Sequence, residues 1–303
     1  MSINWFPGHM AKATREIKEI LPKVDVIIEV VDARIPYSSS NPVIAQFRAD
    51  KPHVILMSKS DMADPIVTQQ WVESLKTHAS TVAIPTRKDH AAEIRTVLST
   101  IPKFCPTKAS GPKAIQTLIT GIPNVGKSTV INILADRKIA KTGNEPAVTK
   151  AQQRIKLEND IVLYDTPGIL WPKIENPNSG FRLACTGAIK NTAMDEAEVA
   201  FFLAEYLIVS YPELLLNRYE LEELPTNPVD FFEAIGQKRG KIRSGGRVDI
   251  NEISKLFLVE FFQGTLGAIS LETPVMVEQE EIEVQRKIQE KKAKKEARKK
   301  KLK

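Results

Sequence analysis

The order of two short motifs constrains the fold of this 303-residue chain more than any other feature. Residues 121–128 read Gly-Ile-Pro-Asn-Val-Gly-Lys-Ser, a complete G-x-x-x-x-G-K-S phosphate-binding loop. A guanine-reading segment of the N-K-x-D type, Ser58-Lys59-Ser60-Asp61, ends sixty residues before this loop begins. In an ordinary GTPase the guanine-reading segment follows the phosphate loop. The order therefore predicts a P-loop GTPase whose elements are circularly permuted.

Hydrophobic periodicity divides the chain into an α/β part and a helical part. Strands alternating with helices predict a doubly wound, mostly parallel sheet, whereas the pattern after residue 178 is helical. The proline-rich run 102–113 is predicted to be a linker. We predict a permuted GTPase domain at 1–177, a smaller all-helical domain at 178–275 and a basic tail at 276–303. The expected strands are 24–32, 53–57, 81–84, 114–120 and 161–164, and the expected helices are 9–22, 65–78, 90–100, 127–137, 179–190, 195–210, 228–239 and 249–264.

Positive charge is concentrated at the end of the chain. The net charge is +6, but residues 286–303 contain eleven Lys or Arg and two Glu, which gives +9 there and −3 for residues 1–285. Such a tail attracts phosphate polyanions in a salt-dependent way. The alternative is a solvated helix, because Glu283/Lys287 and similar i,i+4 pairs favour helix formation. We expect the tail to be either helical or disordered.

The remaining composition indicates a cytoplasmic protein. The N-terminal residues lack the basic and apolar regions of a signal peptide, and no apolar run is long enough to span a bilayer, so we expect no membrane partner. Two cysteines, Cys105 and Cys185, make neither a disulfide framework nor a metal cluster. A monomer is the default expectation.

The phosphate loop predicts binding of a nucleoside triphosphate with Mg²⁺. Lys127 is expected to neutralise the β- and γ-phosphate oxygens, and the Ser128 hydroxyl to bind Mg²⁺ at the start of a helix. Asp165 begins the sequence Asp165-Thr-Pro-Gly168 after a strand and is expected to hold the same ion, with Gly168 offering its N–H to the γ-phosphate. Thr149 is the candidate switch threonine on Mg²⁺, or else a surface hydroxyl. The expected nucleotide-binding residues of the loop itself are Asn124, Val125, Gly126, Lys127, Ser128 and Thr129.

The segment at 58–61 predicts guanine in preference to adenine, and thus GTP and GDP as ligands. The Asp61 carboxylate can accept hydrogen bonds from N1–H and the exocyclic amino group of guanine, a pattern that adenine does not offer. Lys59 is expected to lie along the base or to contact the phosphate loop. Ser58 replaces the usual Asn and has a shorter reach, while Thr86 and Arg87 fall where a further base-contacting loop is expected.

Several longer segments resemble the YlqF/RbgA family of circularly permuted GTPases over about residues 3–275. They are Asn4-Trp-Phe-Pro-Gly-His-Met-Ala-Lys-Ala13, Val31-Asp-Ala-Arg-Ile-Pro36, Gly121–Ser128, Asp165-Thr-Pro-Gly-Ile-Leu-Trp-Pro172, Leu183-Ala-Cys-Thr-Gly-Ala-Ile-Lys190 and Ala234-Ile-Gly-Gln-Lys-Arg-Gly240. The resemblance implies a factor that binds late precursors of the large ribosomal subunit and couples GTP hydrolysis to release. It also implies rRNA contact by the helical domain.

Catalysis requires a group that the motifs themselves lack. Ile169 stands where many GTPases place a Gln that orients the attacking water. The resemblance implies His9 as the replacement, with a helix-start or rRNA-contacting role as the alternative. Asn124 is a candidate ligand for K⁺ beside the phosphates. His9, Lys127 and Thr149 are thus the candidate catalytic residues.

Two other functions are compatible with a phosphate loop. An ATP-using kinase would not require Asp61. A nucleotide-stabilised rRNA-binding scaffold with negligible hydrolysis is compatible with Ile169, although Lys127, Ser128, Thr149 and Asp165 together favour a working GTPase. The prediction is a GTPase that the ribosomal subunit activates.

Overall fold

The computed structural model describes residues 8–76, 80–140, 153–189, 195–243 and 245–301. In this part of the chain the strands form one six-stranded sheet in the order β3-β2-β1-β4-β6-β5, parallel except for the edge strand β5. This confirms the predicted α/β class. The strands are Val26–Asp32 (β1), His53–Ser58 (β2), Thr81–Pro85 (β3), Ile115–Gly121 (β4), Gln153–Lys156 (β5) and Ile161–Asp165 (β6).

Many helices begin at a proline that follows a capping residue. Asn41, Asp64, Asn176 and Asn227 each accept a backbone N–H with the side chain, and the proline that follows each one occupies the first helical turn. The helices are Gly8–Ile20 (α1), Pro36–Ser39 (α2), Pro42–Phe47 (α3), Pro65–Leu75 (α4), Ala91–Phe104 (α5), Pro106–Ala109 (α6), Lys127–Leu134 (α7), Pro177–Cys185 (α8), Glu196–Ser210 (α9), Pro212–Tyr219 (α10), Pro228–Lys238 (α11), Ile250–Gln263 (α12) and Pro274–Lys301 (α13).

The sheet is buried on both faces, as a parallel sheet requires. Alternate residues of β2 belong to different cores, because successive side chains of a strand point to opposite faces. Val54 and Leu56 join the large core, which continues into the helices from α8 to α12. Ile55 and Met57 join a smaller core with Trp71 of α4.

The predicted linker at 102–113 is wrong in its first part, because α5 runs through Pro102 to Phe104 and α6 follows. Proline has no N–H for the carbonyl four residues earlier. That carbonyl, on Leu98, instead accepts from Asn159 Nδ2 at 3.1 Å.

Edge strand β5 was not predicted, because only Ile155 in it is buried. Helix α10 was also not predicted, because Pro212 reads as a breaker but occupies the first turn. The helix predicted at 179–190 ends at Cys185.

The chain returns from the helices to the sheet before α13 begins. The backbone N–H groups of Ile269 and Leu271 donate to the carbonyls of Met62 and Arg34, each at 2.9 Å. The segment after α12 therefore runs along the loops that follow β2 and β1. The tail is helical: α13 has 28 residues and is one continuous helix. Its first turns pack on the body through Val277 and Val284, both buried.

No single helix among the described residues has the length and apolar character needed to cross a membrane. Helices α9 and α10 satisfy that test only when taken together, on length and composition alone, and they meet at a bend of 109°.

Candidate nucleotide site

The loops after β2, β1, β4 and β6 meet at one edge of the sheet, because these four strands are parallel neighbours. Ligands of open α/β sheets bind at the carboxyl ends of such strands. The register places Asp32 of β1 beside Ser58 of β2, and Ile119 of β4 beside Asp165 of β6. The guanine-reading segment and the phosphate loop thus share this edge although sixty residues separate them in sequence.

The phosphate loop depends on backbone conformations and close contacts that glycine permits. Gly126 has a φ of 88° and directly precedes Lys127, the first residue of α7. At Gly121 an added Cβ would lie 2.6 Å from the carbonyl oxygen of Val30, so a side chain there would separate β4 from β1. Asn124 adopts a φ of 63°, a conformation that Asn tolerates better than most residues.

Lys127 and Asp165 form a buried ion pair through Nζ and Oδ1. Burial lowers the pKa of the Lys127 ammonium and raises the pKa of the Asp165 carboxyl, while the attraction between the two groups opposes both shifts. Asp165 Oδ2 is buried and has no hydrogen-bond partner among the described residues. An unpaired carboxylate oxygen at this depth suits a hard cation.

The donor set fits Mg²⁺. Ser128 lies one residue after Lys127 and is half-buried. A carboxylate oxygen and a hydroxyl are the two protein ligands that phosphate-loop enzymes give to Mg²⁺. Thr149, the third predicted ligand, falls in the segment 141–152, outside the described residues.

The segment after Asp165 packs against the phosphate loop. A Cβ added to Gly168 would lie 3.2 Å from the backbone nitrogen of Pro123, so this position requires glycine or a small shift of the loop. Ile169 is completely buried, and its carbonyl oxygen accepts from Asn41 Nδ2 at 3.2 Å. An aliphatic side chain held in the core cannot orient a water molecule.

Ser58 links the guanine segment to the phosphate loop. Its Oγ lies 2.5 Å from the carbonyl oxygen of Val125 and 2.9 Å from that of Val31. A hydroxyl carries one hydrogen, so it donates to one of these acceptors at a time. The shorter side chain at the usual Asn position therefore still contacts the phosphate loop.

The rest of the guanine segment is set by its neighbours. Lys59 has a φ of 58° and its Nζ bonds to Asp32 Oδ2 at 2.8 Å. Ser60 N donates to the carbonyl oxygen of the buried Thr86 at 3.2 Å, so the loop after β3 supports this segment. Asp61 follows in a 3₁₀ turn and its side chain is exposed.

Comparison with known proteins identifies the family. Residues 116–227 match the profile of the family described as 50S ribosome-binding GTPase. The ribosome biogenesis GTPase A of Priestia megaterium is 45% identical over 287 residues, which cover 92% of this chain and 99% of the relative. This chain belongs to the ribosome biogenesis GTPase A family. The family member from Thermotoga maritima is 34% identical over 90% of this chain and 95% of its own length.

Solved structures agree with the assignment to ribosome biogenesis GTPase A. GDP-bound YlqF from Thermotoga maritima has a TM-score of 0.61 and 31% identity over 86% of this chain and 99% of its own. The GNP-bound form gives the same TM-score and identity over 87% and 98%. As a member of this family, the protein is a GTPase of ribosome assembly, and guanine nucleotide is its ligand.

Some positions of the site lie outside the predicted set or outside the described residues. His9 is in α1, but its side chain is not among the described ones. Sequence reasoning assigned no role to Asp32, Arg34 or Gly187, which contact Lys59, Asp32 and Asn124 respectively. All three lie in the segments Val31–Pro36 and Leu183–Lys190, which carry the family resemblance. The sequence marked these segments but did not show which residues they contact.

Proposed function

We propose that this protein binds late precursors of the large ribosomal subunit and couples GTP hydrolysis to a maturation or release step. One observation carries the nucleotide part: the Ser58 hydroxyl bonds the carbonyl of Val125, which makes the guanine segment and the phosphate loop a single site. Membership of the ribosome biogenesis GTPase A family supports the ribosomal part.

In the proposed site, Lys127 binds the phosphates, and Ser128, Asp165 and Thr149 hold Mg²⁺. Bound Mg²⁺ would neutralise charge that develops on the phosphate oxygens during transfer. Bound phosphates would compete with Asp165 for the Lys127 ammonium, and the Asp165 carboxylate would then be available to Mg²⁺. Backbone N–H groups of the loop from Asn124 to Thr129, together with that of Gly168, complete the phosphate contacts.

The base is read by Asp61, with Lys59 along its face and Thr86 supporting the loop. Asp61 accepts two hydrogen bonds from guanine, and replacing the base by adenine would leave the carboxylate against an acceptor. Ser60 contributes through its backbone, which Thr86 positions.

Hydrolysis requires a polar group that Ile169 does not supply. We assign this role to His9, whose imidazole can orient or deprotonate water near neutral pH. Asn124 is the proposed K⁺ ligand. Its Nδ2 is engaged by the Gly187 carbonyl at 2.6 Å, so its Oδ1 remains for a cation. Because the free protein lacks a water-orienting side chain from residue 169, binding to the subunit is expected to complete the site.

The helical part, 178–275, and the tail, 276–303, are the proposed rRNA contacts. Every described side chain of α13 after Val284 is exposed or half-buried, so its lysines are available to phosphates. The proposed setting is the cytoplasm, with the protein as a monomer. The free thiols of Cys105 and Cys185 are compatible with that setting.

The test is GTP hydrolysis with and without purified large ribosomal subunits, in K⁺ and in Na⁺. His9→Ala is compared with His90→Ala, which alters an exposed histidine of the α5 start. Strong stimulation that His9→Ala alone removes, with GTP and subunit binding retained, supports the proposal and the role of His9. Stimulation that survives in His9→Ala would move the catalytic role elsewhere. No stimulation in either salt would leave the rRNA-binding scaffold as the better account.

A further inference from the structure

A chain of polar contacts leads from the guanine segment to the last turn of α12. Lys59 Nζ bonds to Asp32 Oδ2 at 2.8 Å. Arg34 holds the same carboxylate with two bonds of 2.9 Å, from Nε to Oδ1 and from Nη2 to Oδ2. The remaining nitrogen of that guanidinium, Nη1, donates to the carbonyl oxygen of Phe261 at 3.0 Å. Asp32 and Arg34 thus join the guanine segment to α12.

This series of polar contacts is rigid because the Asp32–Arg34 pair at its centre is buried and bidentate. Asp32 and Arg34 are each 1% exposed. Burial alone would raise the pKa of Asp32, but the charges of Arg34 and Lys59 outweigh it and hold that pKa well below its usual range. Two cations share one carboxylate, so the side chains of Asp32, Arg34 and Lys59 together carry a net charge of +1. The two parallel bonds between the Arg34 guanidinium and the Asp32 carboxylate also fix the orientation of the carboxylate, which a single point charge would not do.

Contacts of a second kind connect the same two places. The ring centroid of Phe262 lies 5.8 Å from Lys59 Nζ, close enough for a cation–π contact. Phe262 also touches Gly187, where an added Cβ would approach the ring to 2.9 Å. Gly187 in turn accepts the hydrogen bond from Asn124 of the phosphate loop. The end of α12 therefore contacts the guanine segment directly and reaches the phosphate loop through Gly187.

We infer that Asp32 and Arg34 are positioning residues that hold Lys59 in place and couple guanine-nucleotide binding to the seating of the last turn of α12. The inference rests on the proposed role of Lys59 and Asp61 in base binding. A guanine beside Lys59 changes the distribution of charge around Asp32, and Arg34 carries that change to the Phe261 carbonyl. Coupling is reciprocal: if nucleotide binding changes the affinity for a partner of the helical part, that partner changes nucleotide affinity by the same factor.

The test is amide hydrogen exchange of the peptide 257–264 in the full-length protein, with and without saturating GDP. GDP affinity is measured in parallel with a fluorescent GDP analogue. Arg34→Lys keeps the charge but loses the fork, so it disturbs folding less than removal of the charge. Lys108→Met is the matched control, because it breaks an ion pair with Asp25 at the opposite end of β1.

In the native protein, GDP should slow exchange of 257–264 by at least about fivefold, the lower end of measured couplings. In Arg34→Lys the slowing should largely disappear at saturating GDP, and the Kd for GDP should rise by a similar factor. Lys108→Met should retain both native values.

A native protein that binds GDP with no change in 257–264 would overturn this inference alone, even if the variant does not fold. If GDP slows amide exchange of 257–264 in Arg34→Lys as much as in the native protein, the inference is overturned as well. Failure of the native protein to bind GDP would overturn the guanine site and the inference together.

Discussion

The side-chain amide of Asn124 donates to the carbonyl oxygen of Gly187 over 2.6 Å and fastens the phosphate loop to the segment after α8. Both residues have left-handed backbones, with φ values of 63° and 73°. The loop that is proposed to hold the phosphates is therefore tied to the helices by a bond between two unusual backbone positions.

Replacing Asn124 by Gly should remove the side chain without straining the backbone, because Gly accepts a positive φ. We expect the stimulation of GTP hydrolysis by K⁺ over Na⁺ to disappear, since the proposed cation ligand is gone. Asn159→Gly is the control: it has a φ of 56° and a side-chain bond of 3.1 Å to Leu98, distant from the site. K⁺ stimulation that persists in Asn124→Gly would exclude Asn124 as the ligand.

Ser58→Ala should weaken GDP binding by about fivefold, the equivalent of one ordinary hydrogen bond of about 1 kcal/mol. The reason is the loss of the bond from Oγ to Val125, which holds the two binding segments together. Titration with a fluorescent GDP analogue measures the effect. Thr68→Val, which removes a hydroxyl-to-carbonyl bond of 2.8 Å in α4, should leave the affinity unchanged. Equal affinities for Ser58→Ala and the native protein would contradict the prediction.

Mg²⁺ should raise the GTP affinity of the native protein by at least about tenfold, and Asp165→Asn should abolish this gain. Because burial raises the pKa of Asp165 and Mg²⁺ requires the ionised carboxylate, the native gain should shrink as the pH is lowered toward that raised pKa. Binding titrations with Mg²⁺ or with EDTA measure it. Asp160→Asn, which alters an exposed residue just before β6, should behave as the native protein does. A gain that Asp165→Asn retains would place the ion elsewhere.

Asp32→Asn should lower the free energy of unfolding at pH 7 by about 3–5 kcal/mol, because it leaves the Arg34 charge buried without its partner. The pKa of Asp32 is lowered in the folded state, so its contribution is present above its unfolded pKa and is lost as the pH falls below about 4. The difference between variant and native protein should therefore narrow in acid. Urea unfolding from pH 7 to pH 3 measures this. Asp25→Asn, at the more exposed end of β1, should show a smaller loss. A pH-independent difference would contradict the assignment.

Changing Lys291, Lys292, Lys294 and Lys295 to Gln should weaken binding to large-subunit rRNA and flatten its salt dependence. Each phosphate contact that is lost should reduce the slope of log K against log salt by about one. The same four positions changed to Arg retain the charge and serve as the control. A slope that the Gln variant leaves unchanged would show that these four lysines do not contact phosphate.

The shared edge of the sheet could be predicted because it depends on local patterns. Both motifs follow apolar strands, and parallel strands bring the loops at their carboxyl ends together. Ile169 could also be read as a gap in catalysis directly from its position after Gly168.

The contacts between distant segments could not be predicted. The bond from Lys59 to Asp32 exists because β2 lies beside β1, a strand order that periodicity does not reveal. The Asn124–Gly187 bond requires the docking of α8, and Pro102 is tolerated in α5 only because Asn159 reaches the carbonyl of Leu98. In each case the deciding partner lies more than 25 residues away in sequence.

Helix α13 is anchored by Glu280, which bonds Arg182, Asn176 and Asn178. From Val284 to Lys301 the helix rises by about 26 Å at 1.5 Å per residue. Its charges therefore lie along a stiff arm at set distances from the body. An RNA phosphate bound by this arm would therefore be held at a fixed distance from the nucleotide site. Inserting a single residue after Val284 would turn the outer lysines by about 100° and aim them at a different groove or strand.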